Sequence, residues 1–279
     1  IGYQALQTQT TGTRNTALGA YALKLSTTAN DCVAIGTTAL DANTTGTYNI
    51  AVGSGALSSN TTSSYNTALG HTALFTCTTG SQNTALGYNC LKAVTTGVSN
   101  IAIGQNSGWS ITIGEGNVAV GAGAMTTNYN GGNNVAIGRV ALQLLTTANN
   151  NTAVGAWAGD VITTGSNNTS LGYQADPSSA TVSNEVILGN NAVGTLRCNT
   201  QTLSSLSDVR DKENIEELPL GIEFINTLRP VKFDWDRRDG SQRGVQEIGF
   251  IAQELDKAQQ DADAEEYMRL VLKSNPDRL

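Results

Sequence analysis

Asn49-Ile50-Ala51-Val52-Gly53 is followed seventeen residues later by Asn66-Thr67-Ala68-Leu69-Gly70, and after another seventeen by Asn83-Thr84-Ala85-Leu86-Gly87. Worked outward in both directions, this word keeps its register. Glycine stands at 2, 19, 36, 53, 70, 87, 104, 121, 138, 155, 172 and 189, twelve times without a slip. Leu, Ile or Val precedes each of the last eleven; Ala stands two before in nine of them, and Asn four before in nine, with Cys32 and Glu185 as the exceptions. Downstream come Ala-Leu pairs (Ala22-Leu23, Ala39-Leu40, Ala56-Leu57, Ala73-Leu74) and a turn of Thr-Thr-Gly type. A fixed period of this kind marks a solenoid, in which each unit buries its apolar face only by stacking on its neighbours.

Within the word, larger aliphatic or β-branched residues alternate with Ala, the period of two of a β-strand. One repeat holds one or two short strands and two tight turns, with Gly where a side chain would clash. Residues 1–197 are therefore read as stacked coils, and at about 4.8 Å per rung the shaft is roughly 50 Å long. Both faces of the strand are apolar. One lines the coil interior, while a close-packed row of Ala on the other suits contact between chains about a three-fold axis. The expectation is a homotrimer with Ala at the interface, set against a monomeric solenoid whose Ala row is exposed.

Only 5% of the 279 residues are aromatic and 14% charged, with 30 Gly, too few bulky side chains for the core of a conventional enzyme domain. The net charge of −7 argues against nucleic acid as a partner. No apolar run approaches the roughly 20 residues of a spanning helix and no secretory leader opens the chain, so a soluble protein is expected. Because the chain opens at Ile1, inside a repeat and without Met, further sequence upstream is expected too.

Charge divides the chain in two. Residues 1–200 carry five basic and six acidic side chains, whereas 201–279 carry 11 and 17. The Thr/Ser-rich stretch 198–206 reads as a linker, and 207–279 as a small α+β domain. There Leu218, Ile222, Ile225 and Leu228 share one side of a short helix stopped by Pro230. Strands over 231–235 and 247–252 flank a turn at Arg238-Asp239-Gly240-Ser241 as a hairpin, and 253–260 and 264–273 read as helices.

The repeat resembles the head repeats of trimeric bacterial surface adhesins and, more closely in its Asn-Thr-Ala-Leu-Gly wording, repeats of bacteriophage tail fibres. Three later words, Ser207-Asp208-x-Arg210-x-Lys212, Leu228-Arg229-Pro230-Val231-x-Phe233-x-Trp235 and Ile248-Gly249-Phe250-Ile251-Ala252-Gln253-Glu254, resemble the intramolecular chaperone domain at the C-terminus of phage tail spikes, endosialidases and related fibres. The same module occurs in a family of membrane-bound animal transcription factors. That resemblance implies a domain that trimerises, nucleates folding of the β fibre upstream, and cuts itself off with a Ser and a Lys five residues later, here Ser207 and Lys212. It puts the severed bond beside Ser207, at Ser207-Asp208 with Leu206-Ser207 as the alternative. The family continues into a C-terminal helix that joins the trimer, so 207–279 reads as C-terminally incomplete. The chemistry is sound in itself, because a Lys of depressed pKa can take the proton of a Ser hydroxyl. The alternative makes Ser207 and Asp208 capping residues and Lys212 a solvated charge.

Other candidates carry less. Asp160 and Asp176, 16 apart and so on adjacent coils, are the one carboxylate pair in the shaft suited to glycan cleavage or cation binding, with turn capping as the alternative. In-phase Thr pairs (Thr27-Thr28, Thr44-Thr45, Thr61-Thr62, Thr78-Thr79, Thr95-Thr96) form a ladder for water, ice or sugar, or simply for turns. Trp109, Trp157, Tyr48, Tyr65, Tyr88 and Tyr129 are candidates for stacking on a sugar ring or for covering a rung. Cys32, Cys77, Cys90 and Cys198 lack metal-ligand spacing and read as free and structural; His71, in a variable turn, is not read as catalytic.

The whole predicts a mainly β protein: a trimeric stacked β-solenoid shaft followed by a small α+β intramolecular chaperone. By resemblance it is a structural virion fibre, a phage tail fibre or spike assembled in the host cytoplasm, with no enzymatic activity in the shaft. Its partners are then two further copies, other tail or baseplate proteins, and a host cell-surface glycan or protein, with no cofactor, no metal and no membrane insertion. A trimeric cell-surface adhesin head and a glycan-depolymerising tail spike are the alternatives.

Overall fold

The computed structural model of the protein describes residues 1–195, 220–234, 244 and 246–264. Two compact units, Ile1–Arg197 and Cys198–Leu279, divide the chain, and each is taken by itself.

The first unit is a parallel β-solenoid. Each coil contributes one three-residue strand, from β1 (Thr16–Leu18) through β6 (Ile101–Ile103) to β10 (Thr169–Leu171) and β11 (Val186–Leu188). All eleven lie in one sheet in chain order, and the pairing advances by one repeat per rung, as in Ala34↔Ala51 and Ala51↔Ala68. Ten rung spacings of about 4.8 Å give a sheet about 48 Å long.

The alternation is oriented opposite to the expectation. Ala34, Ala51, Ala68, Ala85 and Ala102 have no exposed surface. The larger residues that flank them point outward: Leu18 is 47% exposed, Leu69 45% and Ile103 38%. The reason is steric. Leu23, Leu40, Leu57, Leu74 and Leu91 fill the coil from the opposite wall and are fully buried, leaving room for a methyl group. A Cβ added to Gly108 on that wall would already lie 3.6 Å from the Ala102 methyl. Ala therefore cannot be the surface between chains; the outward stripe of Leu, Ile and Val is the apolar one.

Three corners of each coil before the eleventh use left-handed backbone, as at Thr38 (φ 54°), Leu40 (φ 51°) and Tyr48 (φ 58°); the eleventh keeps two, at Gln174 and Asn184. Each such non-glycine residue costs about 1–2 kcal/mol, so a coil by itself is unfavourable and depends on stacking. At Gly36 the demand is stricter: φ is +135°, and a Cβ would lie 2.5 Å from the Gly53 carbonyl oxygen one coil on. Hydrogen bonds between coils offset the strain, among them Leu40 N–H to the Ala56 carbonyl at 3.0 Å and Ile50 N–H to the Asn66 carbonyl at 2.9 Å.

Asn has the most specific role in the repeat. Asn83, Asn100, Asn117 and Asn134 are fully buried in a column. The Asn100 Oδ1 accepts from the Asn117 backbone N–H at 3.1 Å, and its Nδ2 donates to the Gly114 carbonyl at 2.8 Å. Its Nδ2 also reaches Asn83 Oδ1 at 3.1 Å, while Asn117 Nδ2 donates to Asn100 Oδ1 at 3.1 Å. Each side chain thus ties the strand entry and the turn of the next coil together, with both of its donor hydrogens used. Nothing but an amide of this length supplies an acceptor and two donors there.

Interior volume is exchanged within some coils. Where the inner wall carries Leu40, Leu57 or Met125, a buried Asn43, Asn60 or Asn128 stands three residues on; where it carries Gly108 or Gly159, Ile111 or Ile162 stands there instead. Leu91 with Val94 and Leu142 with Leu145, all fully buried, do not follow this exchange.

In the second unit, α1 (Ile222–Thr227) leads to β12 (Val231–Asp234), which pairs antiparallel with β13 (Gln246–Gly249) before α2 (Ala252–Asp261). These are the expected helix, hairpin and following helix, but the second strand ends three residues early, at Gly249, and the first helix starts at Ile222 and buries Phe224, leaving Ile222 and Ile225 of the expected apolar side exposed. Leu218 and all of the helix expected over 264–273 beyond its first residue lie outside the described residues.

Candidate functional site

Two of the three sequence words of the second unit come together around one ion pair. Arg229, between α1 and β12, donates from Nε to Glu254 Oε2 at 3.0 Å and from Nη2 to Glu254 Oε1, although 25 residues separate them. The bidentate geometry suits a guanidinium facing a carboxylate. Hydrogen bonding to Arg229 holds the Glu254 carboxyl below its usual range, and Glu254 in turn raises Arg229. Both side chains are exposed, so their role is to hold the strand entry against the start of α2. On the hairpin Phe233 lies opposite Glu247, and a Cβ at Gly249 would meet the Phe233 ring at 3.6 Å, an ordinary contact that does not by itself require glycine. Between α1 and α2 lies a cleft of about 490 Å³ whose lining includes Leu220, Phe224, Thr227, Ala258 and Asp261. The sequence reading missed the Arg229–Glu254 pair, for which opposite charge in two co-occurring words was the only signal.

Ser207, Asp208 and Lys212, like Trp235 and Cys198, lie outside the described residues. The candidates in the shaft can be placed. Asp160 and Asp176 are brought together, and both carboxyls are raised by burial, Asp176 also by the neighbouring charge of Asp160. Among the described residues no group of three or more His, Cys, Asp or Glu is placed to hold a metal ion.

The first Thr of each pair donates to the carbonyl of its counterpart one coil on, Thr27 to Thr44 at 3.0 Å and Thr44 to Thr61 at 2.9 Å, which is turn chemistry. Tyr48 and Tyr65 stack face to face at 5.2 Å, His71 stacks on Tyr88 at 5.6 Å, and Arg139 covers the Trp157 ring at 4.1 Å. Tyr48, Tyr65 and Tyr88 nonetheless stay about half exposed, as do Trp109 and Tyr129. Cys32, Cys77 and Cys90 are free and buried; burial pushes the Cys77 thiol up to about 11 and Cys90 to about 12, so neither is a nucleophile at neutral pH.

A long, low-charge solenoid of near-identical coils joined to a small charged α+β unit is the build of a fibre with a folding domain attached. Residues 207–264 match the protein-family model Peptidase_S74, described as chaperone of endosialidase. The C-terminal unit thus carries an endosialidase-chaperone domain, and a β-solenoid followed by such a domain is consistent with a tail fibre or spike. No curated protein and no solved structure gives a significant match. Among the described residues no helix is long and apolar enough to cross a membrane.

Proposed function

We propose that this chain forms the shaft of a trimeric virion fibre, that its C-terminal domain sets the three chains in register, and that the domain is then released by self-cleavage beside Ser207. The observation that carries the proposal is the chaperone-family match at 207–264 directly behind a seventeen-residue solenoid. Chaperone domains of this family are trimeric in general. The shaft offers a matching surface in its outward stripe of Leu18, Leu69, Leu86, Ile103, Ile137 and Leu171, each 38–47% exposed. It runs the whole length of the sheet, larger than the apolar patches a monomer leaves to water. On this reading the stripe, and not the Ala row, packs about the three-fold axis.

The fold explains why such a shaft needs a template. A chain shifted by one coil keeps nearly all its contacts, so register is weakly specified. Nucleation is also unfavourable, because the first coil must adopt three left-handed corners before a neighbour exists to hold them. A trimer formed first at the C-terminus fixes a common starting rung. In the release step at Leu206-Ser207, neutral Lys212 takes the Ser207 hydroxyl proton and Oγ adds to the Leu206 carbonyl through a five-membered ring. Lys212 returns the proton to the departing Ser207 nitrogen, and water hydrolyses the ester to the Leu206 carboxylate and a free Ser207 hydroxyl. Cutting at Ser207-Asp208 by the same dyad instead needs the Ser207 hydroxyl of a neighbouring chain, since attack on its own carbonyl would close a four-membered lactone. Loss of the template leaves a fibre that unfolds slowly and does not readily refold. The shaft's role is then structural, with attachment to other tail proteins and to a host surface at its ends or flanks.

The test is expression of the full chain beside Ser207→Ala and Lys212→Ala, read by denaturing gel and mass spectrometry. The parent yields a product ending beside residue 207 and neither variant does. A parent that stays intact, or a variant that still cuts there, overturns the dyad.

A further inference from the structure

The eleventh coil, residues 173–189, departs from the repeat at the positions that face a next coil. In the column where Leu23, Leu40, Leu57, Leu74, Leu91, Met125 and Leu142 are fully buried stands Asp176. In the Asn column stands Glu185. Ile187 replaces the interior Ala and pairs with Ser170 below, and Ala180-Thr181-Val182 replaces Thr-Thr-Gly. Among the described residues β11 has β10 on one edge and no strand on the other.

Each replacement is compatible with the coil below and hostile to one above. Glu185 donates its backbone N–H to Asn168 Oδ1 at 3.0 Å, which completes the ladder. Its own carboxylate turns back into the same coil, where Oε2 accepts the Ser178 N–H at 2.8 Å. A carboxylate has no donor to give the turn carbonyl of a further coil, which every Asn in the column provides. Asp176 stands one repeat on from Gly159 and beside Asp160; its Oδ1 is buried without a hydrogen-bond partner. A further coil stacked here would bury the Asp160–Asp176 pair, so that the charge it carries is removed from water, a cost of several kcal/mol.

We propose that the eleventh coil is an end cap, and that Asp176 and Glu185 keep the C-terminal end of the solenoid from stacking on the solenoid of a second copy of this chain. An uncapped end presents unpaired strand groups and an open apolar interior, the combination that drives end-on growth of repeat proteins. The proposal rests on the solenoid alone and requires neither the trimer nor release of the C-terminal domain.

The test compares the full chain with Asp176→Leu/Glu185→Asn, which restores the repeat at both positions, by light scattering after size exclusion and by negative-stain microscopy. Glu115→Asn, which removes a charge from the flank of a middle coil, is the control. The parent and the control run as one species. The double variant at least doubles in mass, increasingly so at higher concentration, and its particles lengthen in multiples. A double variant that retains the parent's circular dichroism and amide protection over 169–188 yet keeps its mass overturns the proposal, as does multimerisation of the control. Loss of that protection in the double variant also overturns it, since restoring the repeat would then not have completed the coil.

Discussion

Asn100→Asp is the sharpest test of the ladder, because it changes one NH2 group to an oxygen and leaves volume unchanged. The amide Nδ2 donates to Gly114 O at 2.8 Å and Asn83 Oδ1 at 3.1 Å. An aspartate there donates neither. Asn83 Oδ1 keeps the Asn100 backbone N–H at 3.0 Å, so the Gly114 carbonyl is the acceptor left without its donor. A buried polar group stranded in this way costs about 1–3 kcal/mol, before the charge itself is counted. At about 1.4 kcal/mol per factor of ten, opening of the flanking coils rises about fivefold or more. The cost depends on pH in a definite direction. The folded state disfavours the charged form, so the introduced carboxyl has a higher pKa folded than unfolded; stability is greatest below about pH 3.9 and falls as pH rises through the folded-state value. Amide hydrogen exchange across residues 84–117 at pH 4 and pH 7 reads both effects, with Asn100→Ala as the uncharged comparison. If Asn100→Asp at pH 7 is protected like the parent, or is hurt less than Asn100→Ala, the ladder does not hold the coils together as argued.

Further outcomes follow from the same structure. Gly108→Leu places a side chain where a Cβ already meets Leu91 Cδ2 at 2.8 Å and Ile111 Cδ1 at 3.1 Å, so it costs about 1–3 kcal/mol; adding Ile111→Asn recovers most of that loss in the denaturation midpoint, because the pair then matches Leu40 with Asn43. Ile103→Asp, on the outward face, leaves the fold of the solenoid intact and reduces the mass by light scattering from three chains toward one. Asp160 and Asp176 have raised carboxyls, so their contribution to the last coil is greatest below the ordinary carboxylate pKa of 3.8 and is lost as pH rises through their folded-state values. Asp160→Asn removes most of that dependence in the exchange of the amides of β11, and a variant with the parent's pH profile would disprove the coupling.

The repeat, the position of the strand within it, and the hairpin and helices of the C-terminal unit were legible because each rests on local periodicity. The inward face was not, since an alternation of Ala with Leu or Val is apolar on both sides. What decides it is the wall opposite, where Leu91 and its equivalents take up the interior. The Asn column was visible as a recurrence, but its function depends on partners 14 and 17 residues away that only the stacking reveals. The pairing of Gly108 with Ile111 has no signature in the wording of the repeat, because it rests on the two side-chain positions meeting in the interior. Asp176 and Glu185 were visible as exceptions, and their meaning came from standing together on the sheet's last coil. Arg229 and Glu254 belong to separate words and meet only once the hairpin has folded back. Ser207 and Lys212 rest on the family match alone.

The most direct measurement is light scattering and circular dichroism on the chain with and without residues 207–279. With them, the account predicts a β-rich shaft with the mass of three copies; without them, it predicts that newly made chains aggregate or stay unfolded. A shortened chain that folds unaided into a stable single-copy solenoid would contradict it.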